Sequence, residues 1–478
     1  MQIIVIILIA LMALPEFQPL VQGSVVEVSV LVWGTTSAFL LSALVLSRFQ
    51  YRRLALTNDP RIIRQIEWMA TMMRWSAVFL SIIAVMVFGW AMRVREVTGD
   101  FFILDEAVLL APAGIILIAT WWLMYPFEVR VHDARLIHSI DEGFPVTPLP
   151  SRSAWVILQV RTHLLLLLVP IVLIAVSADS GRRMVSLLVP NASEWVAILG
   201  ALAGAFPMIL LSPWVTLRLL DTTPLPQGEV RRALEASCTS AGVRIQNVML
   251  WRTGGTLFNG AVTGFIPHAR WVLLSDGLLE RLERAEVLAV MAHELAHVRK
   301  RHMFWLAVSI VASGILFIAA LDPLVQLLRQ MAVDAGGSFE LISQRVQWID
   351  LAASSAVLVG SLVVFGWISR RFERQADAFA AVELSKEVDE HKGIHLFGAE
   401  AMRSALNSVA RLNGVPSSRW SWRHGSILGR QKALQKLVGI RSNAIPINRL
   451  VQVINSVSMA ILVLALIVWV QTMNGGGS

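Results

Sequence analysis

Runs of apolar residues recur along this chain at lengths a water-soluble core does not need. A helix crossing the hydrocarbon layer of a bilayer takes about 20 mostly apolar residues. Runs of that kind fall at roughly 25–46, 75–92, 107–125, 155–178 and 195–219. After a long polar interval they resume at 303–328, 348–368 and 450–470. Residues 1–14 are also apolar, but short, and stop at Pro15. They read as a short first span or a signal sequence, and the lack of a preceding Lys or Arg favours the span.

Between the runs lie two polar stretches, 221–302 and 370–447. In the first, 229–241 has the alternation of an amphipathic helix, and Gly242 supplies its stop. Strand-like runs follow at 244–251, 257–265 and 270–274, with Thr253–Gly254–Gly255 as a turn. Asp276 is an expected N-cap for a helix over 277–282, and apolar periodicity predicts a second helix over 284–302. The predicted fold is therefore predominantly α: a polytopic α-helical membrane protein with a small α+β domain assembled from two segments. Its parts are a multi-span region at 1–220 with about six spans and a first polar segment at 221–302. A transmembrane hairpin at 303–369, a second polar segment at 370–447 and a last span with its tail at 448–478 complete it.

Composition supports that organisation. Only 15 % of the 478 residues are charged and 56 % are hydrophobic, against about 25 % charged in ordinary soluble chains. The formal charge of +8 does not point to nucleic acid, because basic residues gather between apolar runs, as at Arg48, Arg52, Arg53 and from Arg61 to Arg74. Such loops face the cytoplasm under the positive-inside rule. Counting spans from there puts both polar segments on the cytoplasmic side, with Arg182 and Arg183 a small exception outside. Arg161 and His163 fall near the cytoplasmic end of an apolar run, where they are expected to reach out to the interface. Cys238 is the single cysteine, which rules out an intrachain disulfide and a cysteine-rich zinc ribbon; helix packing is its expected role.

The predicted helix at 284–302 contains His293–Glu294–Leu295–Ala296–His297, the HExxH pattern. Residues four apart share a helical face, so both imidazoles can reach one cation. Glu294 stands beside them, close enough to handle a proton of the attacking water. The flanking Val287–Leu288–Ala289–Val290–Met291 is apolar, which argues against two solvated surface histidines. Zinc, one ion per chain, is the expected metal for such a donor set. A third ligand is needed, and a histidine six residues after His297 is excluded because that position is Met303. Glu373 and Asp377, four apart in Arg370–Arg371–Phe372–Glu373–Arg374–Gln375–Ala376–Asp377, are the best remaining pair. One can ligate while the other hydrogen-bonds a ligating histidine. Spacing alone leaves equal room for a solvated helix of charge pairs.

These stretches, together with Leu274–Ser275–Asp276–Gly277–Leu278–Leu279, resemble the CaaX prenyl protease, HtpX and Oma family of membrane gluzincins. The resemblance spans roughly 225–440. Arg370–Asp377 matches that family's RxxExxAD signature, which implies Glu373 as third zinc ligand and Asp377 as partner of a ligating histidine. Asn259–Gly260–Ala261–Val262–Thr263–Gly264 resembles the family's substrate-holding edge strand, which implies roles for Asn259, Ala261 and Gly264. Gly260 and Ala261 depart from its usual residues. His424 and Arg430 stand like the His and Arg of the family's HPxxxxR segment, with Gly425 in the place of Pro. There they are expected to help bind the substrate carbonyl.

The remaining histidines carry blander expectations. His302, on a continuous helix, points about 140° away from His297 and reads as a helix-end packing residue. His391 and His395 are spaced as a helical metal pair, but Gly393 weakens any helix there. His268 follows Pro267 in an expected turn. The resulting expectation is a zinc metalloendopeptidase acting on membrane or membrane-associated proteins at the cytoplasmic face, in a bacterial inner membrane. A zinc-bearing membrane sensor is the alternative, and an inactive scaffold or transporter a weaker one. A sensor would need a sizeable outer domain, and the outer loops at 177–194 and 329–347 are short.

Overall fold

Apolar runs have no backbone partners in lipid except their own, so each closes its hydrogen bonds as a helix. The computed structural model describes residues 2–12, 19–21, 23–57, 60–99, 104–141, 149–190, 193–386 and 393–475. Among them are eight helices long and apolar enough to cross a membrane, and the protein is a polytopic helical membrane protein with a small sheet. It divides into two compact units, Met1–Asp221 and Thr222–Ser478.

The first unit holds α1 (Gln2–Met12), α2 (Val25–Thr57), α3 (Pro60–Met86), α4 (Trp90–Thr98), α5 (Leu104–Asp141), α6 (Arg152–Val160), α7 (Leu166–Leu188) and α8 (Glu194–Leu219). With 11 residues, α1 is too short to span at about 1.5 Å per residue. Its Ile4, Val5 and Leu8 pack instead on Ala77, Ile116 and Trp121. Residues 1, 13 and 14 of the expected first span lie outside the described residues. The span expected at 75–92 is corrected: α3 starts earlier and ends at Met86, and Gly89, at φ 67°, turns the chain before α4. Arg161 differs from expectation too. Its Nε donates to the Leu219 carbonyl at 2.7 Å, so it caps the C-terminal end of α8, and His163 stacks on Trp121 at 6.0 Å.

The second unit begins with β1 (Thr222–Pro224), α9 (Glu229–Ser240), β2 (Asn247–Trp251), β3 (Gly260–Thr263), β4 (Trp271–Ser275) and α10 (Asp276–Arg281). Then come α11 (Arg284–Arg299), α12 (His302–Asp334), α13 (Phe339–Ser385), α14 (Leu396–Leu412), α15 (Ile427–Gln435) and α16 (Pro446–Gly475). The sheet runs β1-β2-β4-β3. β2 and β4 pair in parallel with Leu250 opposite Leu274, while β3 pairs antiparallel with β4, Gly260 opposite Leu274. β3 is thus an edge strand.

Ser275, rather than Asp276, caps α10: its Oγ accepts from Leu278 N at 3.3 Å. Asp276 is drawn the other way, accepting from the backbone N–H groups of Thr253 and Gly254 at 2.9 Å each. That fixes the turn leading to β3. At the far end of β3, Gly264 has φ 104°, and a Cβ there would overlap the Ala269 carbonyl oxygen. Gly264→Ala is therefore expected to destabilise the unit by about 2 kcal/mol or more, from left-handed strain alone. Thermal unfolding in detergent reads this directly, and an unchanged midpoint would contradict the strain argument.

α11 is packed by apolar residues on two sides, while a third side carries His293, Glu294 and His297. Val287, Met291 and Leu295 pack on Val248, Val272 and Leu274 of the sheet and on Leu234 and the buried Cys238 of α9. On the opposite face Ala289 and Ala292 meet Ala378, Ala380 and Ala381 of α13 and Ala405 of α14. Alanines at that junction let three backbones approach closely. The N-terminus of α11 is closed by a capping box between Glu283 and Glu286. Buried Glu286 also accepts from Ser404 and Ser408 at 2.6 and 2.7 Å, which ties α11 to α14.

Candidate metal centre

Packing of α11 against α13 brings the two chemical motifs together. His293 Nε2 lies 3.3 Å from His297 Nε2, and Glu373 Oε2 and Oε1 lie 3.5 and 3.7 Å from those two nitrogens. Ligand atoms at 2.0–2.1 Å from a tetrahedral zinc would be separated by about 3.3–3.4 Å. The three side chains form a group that could hold a metal ion, with the spacing such an ion requires. His293 and Glu373 are buried and His297 half-buried, so the donors are fixed by packing while one side stays accessible.

Electrostatics match that geometry. Burial, reinforced by the neighbouring His293 charge, lowers the His297 pKa to about 3. The ring is neutral in any ordinary buffer, the state in which imidazole ligates metal. Burial also works against charge on His293, yet contacts to Asp377 and Glu373 outweigh it and raise that ring to about 10. The carboxylates thus demand positive charge where the ring nitrogens converge, which suits a divalent cation. Burial pushes half-buried Glu294 up to about 7, with Glu373 adding and His293, His424 and Arg430 opposing.

Asp377 Oδ1 sits 3.0 Å from His293 Nδ1, an ion-pair distance, although the ring N–H is off the line of a regular hydrogen bond. The same carboxylate takes a two-pronged contact from Arg430, Nη2 to Oδ1 at 2.6 Å and Nε to Oδ2 at 2.8 Å. Arg430 Nη1 is also 3.2 Å from Glu373 Oε2. Burial disfavours the guanidinium charge, but the two carboxylates raise its pKa further above its ordinary value. The structure thus turns the Arg430 guanidinium toward Asp377 and Glu373.

His424 projects from the loop between α14 and α15, and its Nδ1 is 3.0 Å from Glu373 Oε1. A tight bridge shapes that loop: Gly425 N donates to Ser421 O at 2.8 Å. Proline has no N–H, so Gly425 serves a turn that the proline of the resembling segment could not make. Arg370 Nη1 donates to Trp422 O at 2.7 Å and fastens the loop to α13.

The edge strand passes close by. A Cβ on Gly260 would lie 3.7 Å from Glu294 Cγ and 3.0 Å from Val290, so β3 runs against the catalytic face of α11. Asn259 sits one residue before β3, its backbone N and O engaged by Ser275 at 3.0 Å each. Ala261 lies within β3 opposite Leu273, and Gly264 just beyond it. Among the described residues no strand pairs with the outer side of β3.

His302 departs from its expected place. The helix predicted over 284–302 stops at Arg299, Arg301 adopts φ 55°, and His302 opens α12. The turn swings its ring back to His297, Nδ1 to Nδ1 at 2.9 Å, and Nε2 meets Gln375 Oε1 at 2.9 Å. Helical spacing could not disclose this, because the break sits at a non-glycine residue. His395 caps α14, its Nδ1 accepting from Phe397 N at 3.2 Å, and His391 lies outside the described residues.

Fold and site together define a membrane protease with a metal-competent HExxH centre. Residues 224–438 match the model of peptidase family M48. The chain is 27 % identical over 273 residues to Protease HtpX of Pseudomonas paraeruginosa, covering 55 % of this chain and 84 % of that one. To Protease HtpX of Photorhabdus laumondii it is 26 % identical over 242 residues, 48 % of this chain and 79 % of that one. The crystal structure of Ste24p from S. mikatae aligns with a TM-score of 0.38 at 14 % identity, over 87 % of this chain and 100 % of that one. Over residues 224–438 the chain is thus similar to peptidase family M48 and to the HtpX proteases.

Proposed function

We propose that this protein is a zinc-dependent endopeptidase that cleaves membrane or membrane-associated proteins at the cytoplasmic face of a bacterial inner membrane. The observation that carries the reading is the convergence of His293, His297 and Glu373 at tetrahedral spacing, the histidines from α11 before the α12–α13 hairpin and the carboxylate from the C-terminal part of α13. Two imidazoles and one carboxylate, with room for a fourth ligand, are the donor set of catalytic rather than closed structural zinc sites. A zinc ion held there supplies Lewis acidity, polarising a carbonyl and acidifying water.

The protein's own groups do the rest. Glu294 takes a proton from the attacking water and delivers it to the leaving amine. Its pKa near 7 suits a group that must both accept and release a proton near neutrality. Asp377 orients His293, and Arg430 holds Asp377 and Glu373 in register. His424, half-exposed beside Glu373, is the group placed to meet the developing charge on a substrate carbonyl; donors of this kind are worth about 3 kcal/mol. β3, with Asn259, Ala261 and Gly264 at and around it, accepts the substrate as an added strand. Such pairing reads backbone and needs little from side chains, which accommodates the small residues at 260 and 261.

Substrate class follows from where the site hangs. Glu373 lies on the same helix as a membrane-spanning run, and His302 opens another only five positions after His297. The active site therefore lies within a few helical turns of the bilayer, where membrane proteins and lipid-anchored tails present cleavable segments. The cytoplasmic side rests on the basic residues between the first two long runs. The test is metal removal: chelator-treated protein in detergent should lose casein cleavage and regain it with one equivalent of zinc. Activity that survives complete stripping would end the zinc reading.

A further inference from the structure

Metal-binding histidines need their second ring nitrogen held by a partner, which fixes both the tautomer and the plane of the ring. Asp377 stands in that position for His293. Among the described residues no carboxylate does so for His297, whose Nδ1 faces His302 Nδ1 at 2.9 Å. The contact continues from His302 Nε2 to Gln375 Oε1 at 2.9 Å, and from Gln375 Nε2 to Asn448 Oδ1 at 2.7 Å. Four side chains from α11, α12, α13 and α16 are linked in one line.

The direction of that line follows from what each atom can do. An amide oxygen only accepts. Gln375 spends its NH2 on Asn448 and presents its oxygen to His302, so His302 Nε2 carries the proton. A neutral imidazole then has a lone pair on Nδ1. His297 Nδ1 must donate to it, and the lone pair of His297 is left on Nε2, the nitrogen that faces His293 and Glu373. We infer that His302 is the positioning residue for His297: as a hydrogen-bond acceptor it fixes the tautomer and ring plane in which Nε2 can bind metal, and Gln375 and Asn448 set its own orientation. The inference rests on the metal reading above.

Two further features fit a ring held for this purpose. Phe372 lies flat on His302, 4.5 Å between centroids and 8° between planes, which leaves the imidazole no freedom to flip. Arg301, immediately before it, is the one non-glycine residue with positive φ among the described residues. Left-handed strain at such a residue persists only where surrounding structure enforces it. Here it is the turn that brings His302 back over His297.

The test separates the acceptor from mere packing. Leucine and asparagine have nearly the same shape, but asparagine Oδ1 branches from Cγ as His302 Nδ1 does and can accept from His297. Full-length His302→Leu and His302→Asn, purified in detergent, are compared with wild type for zinc affinity by chelator competition and for kcat and KM. His302→Leu should bind zinc about 10–100-fold more weakly, and His302→Asn should recover most of that loss. Wild-type affinity in His302→Leu, or equal losses in both variants, would overturn the proposal. If neither folds, Gln375→Met decides it, since His302 stays in place: weaker zinc supports the relay and unchanged zinc overturns it. Should wild type itself bind no zinc, it is the metal reading that fails, an outcome distinct from these.

Discussion

Glu294→Gln is expected to lower kcat/KM by about 10²–10⁴ and to leave the bound metal in place. Glutamine keeps the shape of the side chain and its partial burial, so α11 and its packing against β3 persist. It cannot take up a proton from water, nor return one to a departing amine. Glu294 is not among the three residues whose donor atoms cluster, so the grip on the ion is untouched. The measurement is bound zinc by elemental analysis beside casein cleavage or self-cleavage, on both proteins. Equal zinc with activity in wild type alone is the expected outcome. Equal activity in both would remove the general base and the hydrolytic mechanism with it.

The second large effect belongs to Arg430→Met. Arg430, Asp377 and Glu373 are all buried, and one guanidinium contacts both carboxylates at 2.6 to 3.2 Å. Removing one partner from a buried, hydrogen-bonded charge cluster costs about 3–5 kcal/mol, because the remaining charge has neither water nor counterion. Two carboxylates would lose their guanidinium here, but His293 remains beside both and His424 beside Glu373, so the loss should stand at the lower end of that range in zinc-free protein. Added zinc supplies positive charge to Glu373 and should recover part of it. Asp377→Asn in the same chain should recover part as well, by discharging the other carboxylate. Thermal unfolding of the single and double variants, with and without zinc, measures all of this. A single variant that melts with wild type would show that the guanidinium is not the counterion of the site.

Much of this architecture was readable from the chain, for reasons that differ by element. The long spans were visible because lipid imposes one rule on every residue of a run. The boundary at 75–92 was misplaced because hydropathy does not sense a single left-handed residue such as Gly89. The imidazole pair was legible because helical spacing alone determines whether two side chains share a face. Spacing could not choose between Glu373 and Asp377; the family resemblance pointed to Glu373, whose oxygens the fold places near both ring nitrogens. β1 was missed, since Thr222–Pro224 is three residues long with no alternation to detect. Asp276 looked like a cap because cap and turn residues share one chemistry, and only the fold decides which orphan N–H groups it meets. His302 was hidden by the break at Arg301, and Gln375 and Asn448 by their separation from it in sequence.

The donors of the metal centre are divided by the α12–α13 hairpin, and this has a consequence for biogenesis. A nascent chain that has finished α11 owns two imidazoles and a proton acceptor but no third donor. Only after both hairpin helices are threaded and α13 has returned against α11 does the carboxylate arrive. The donor set is in this way interlocked with the hairpin, and a chain ending before α13 lacks the carboxylate that completes it.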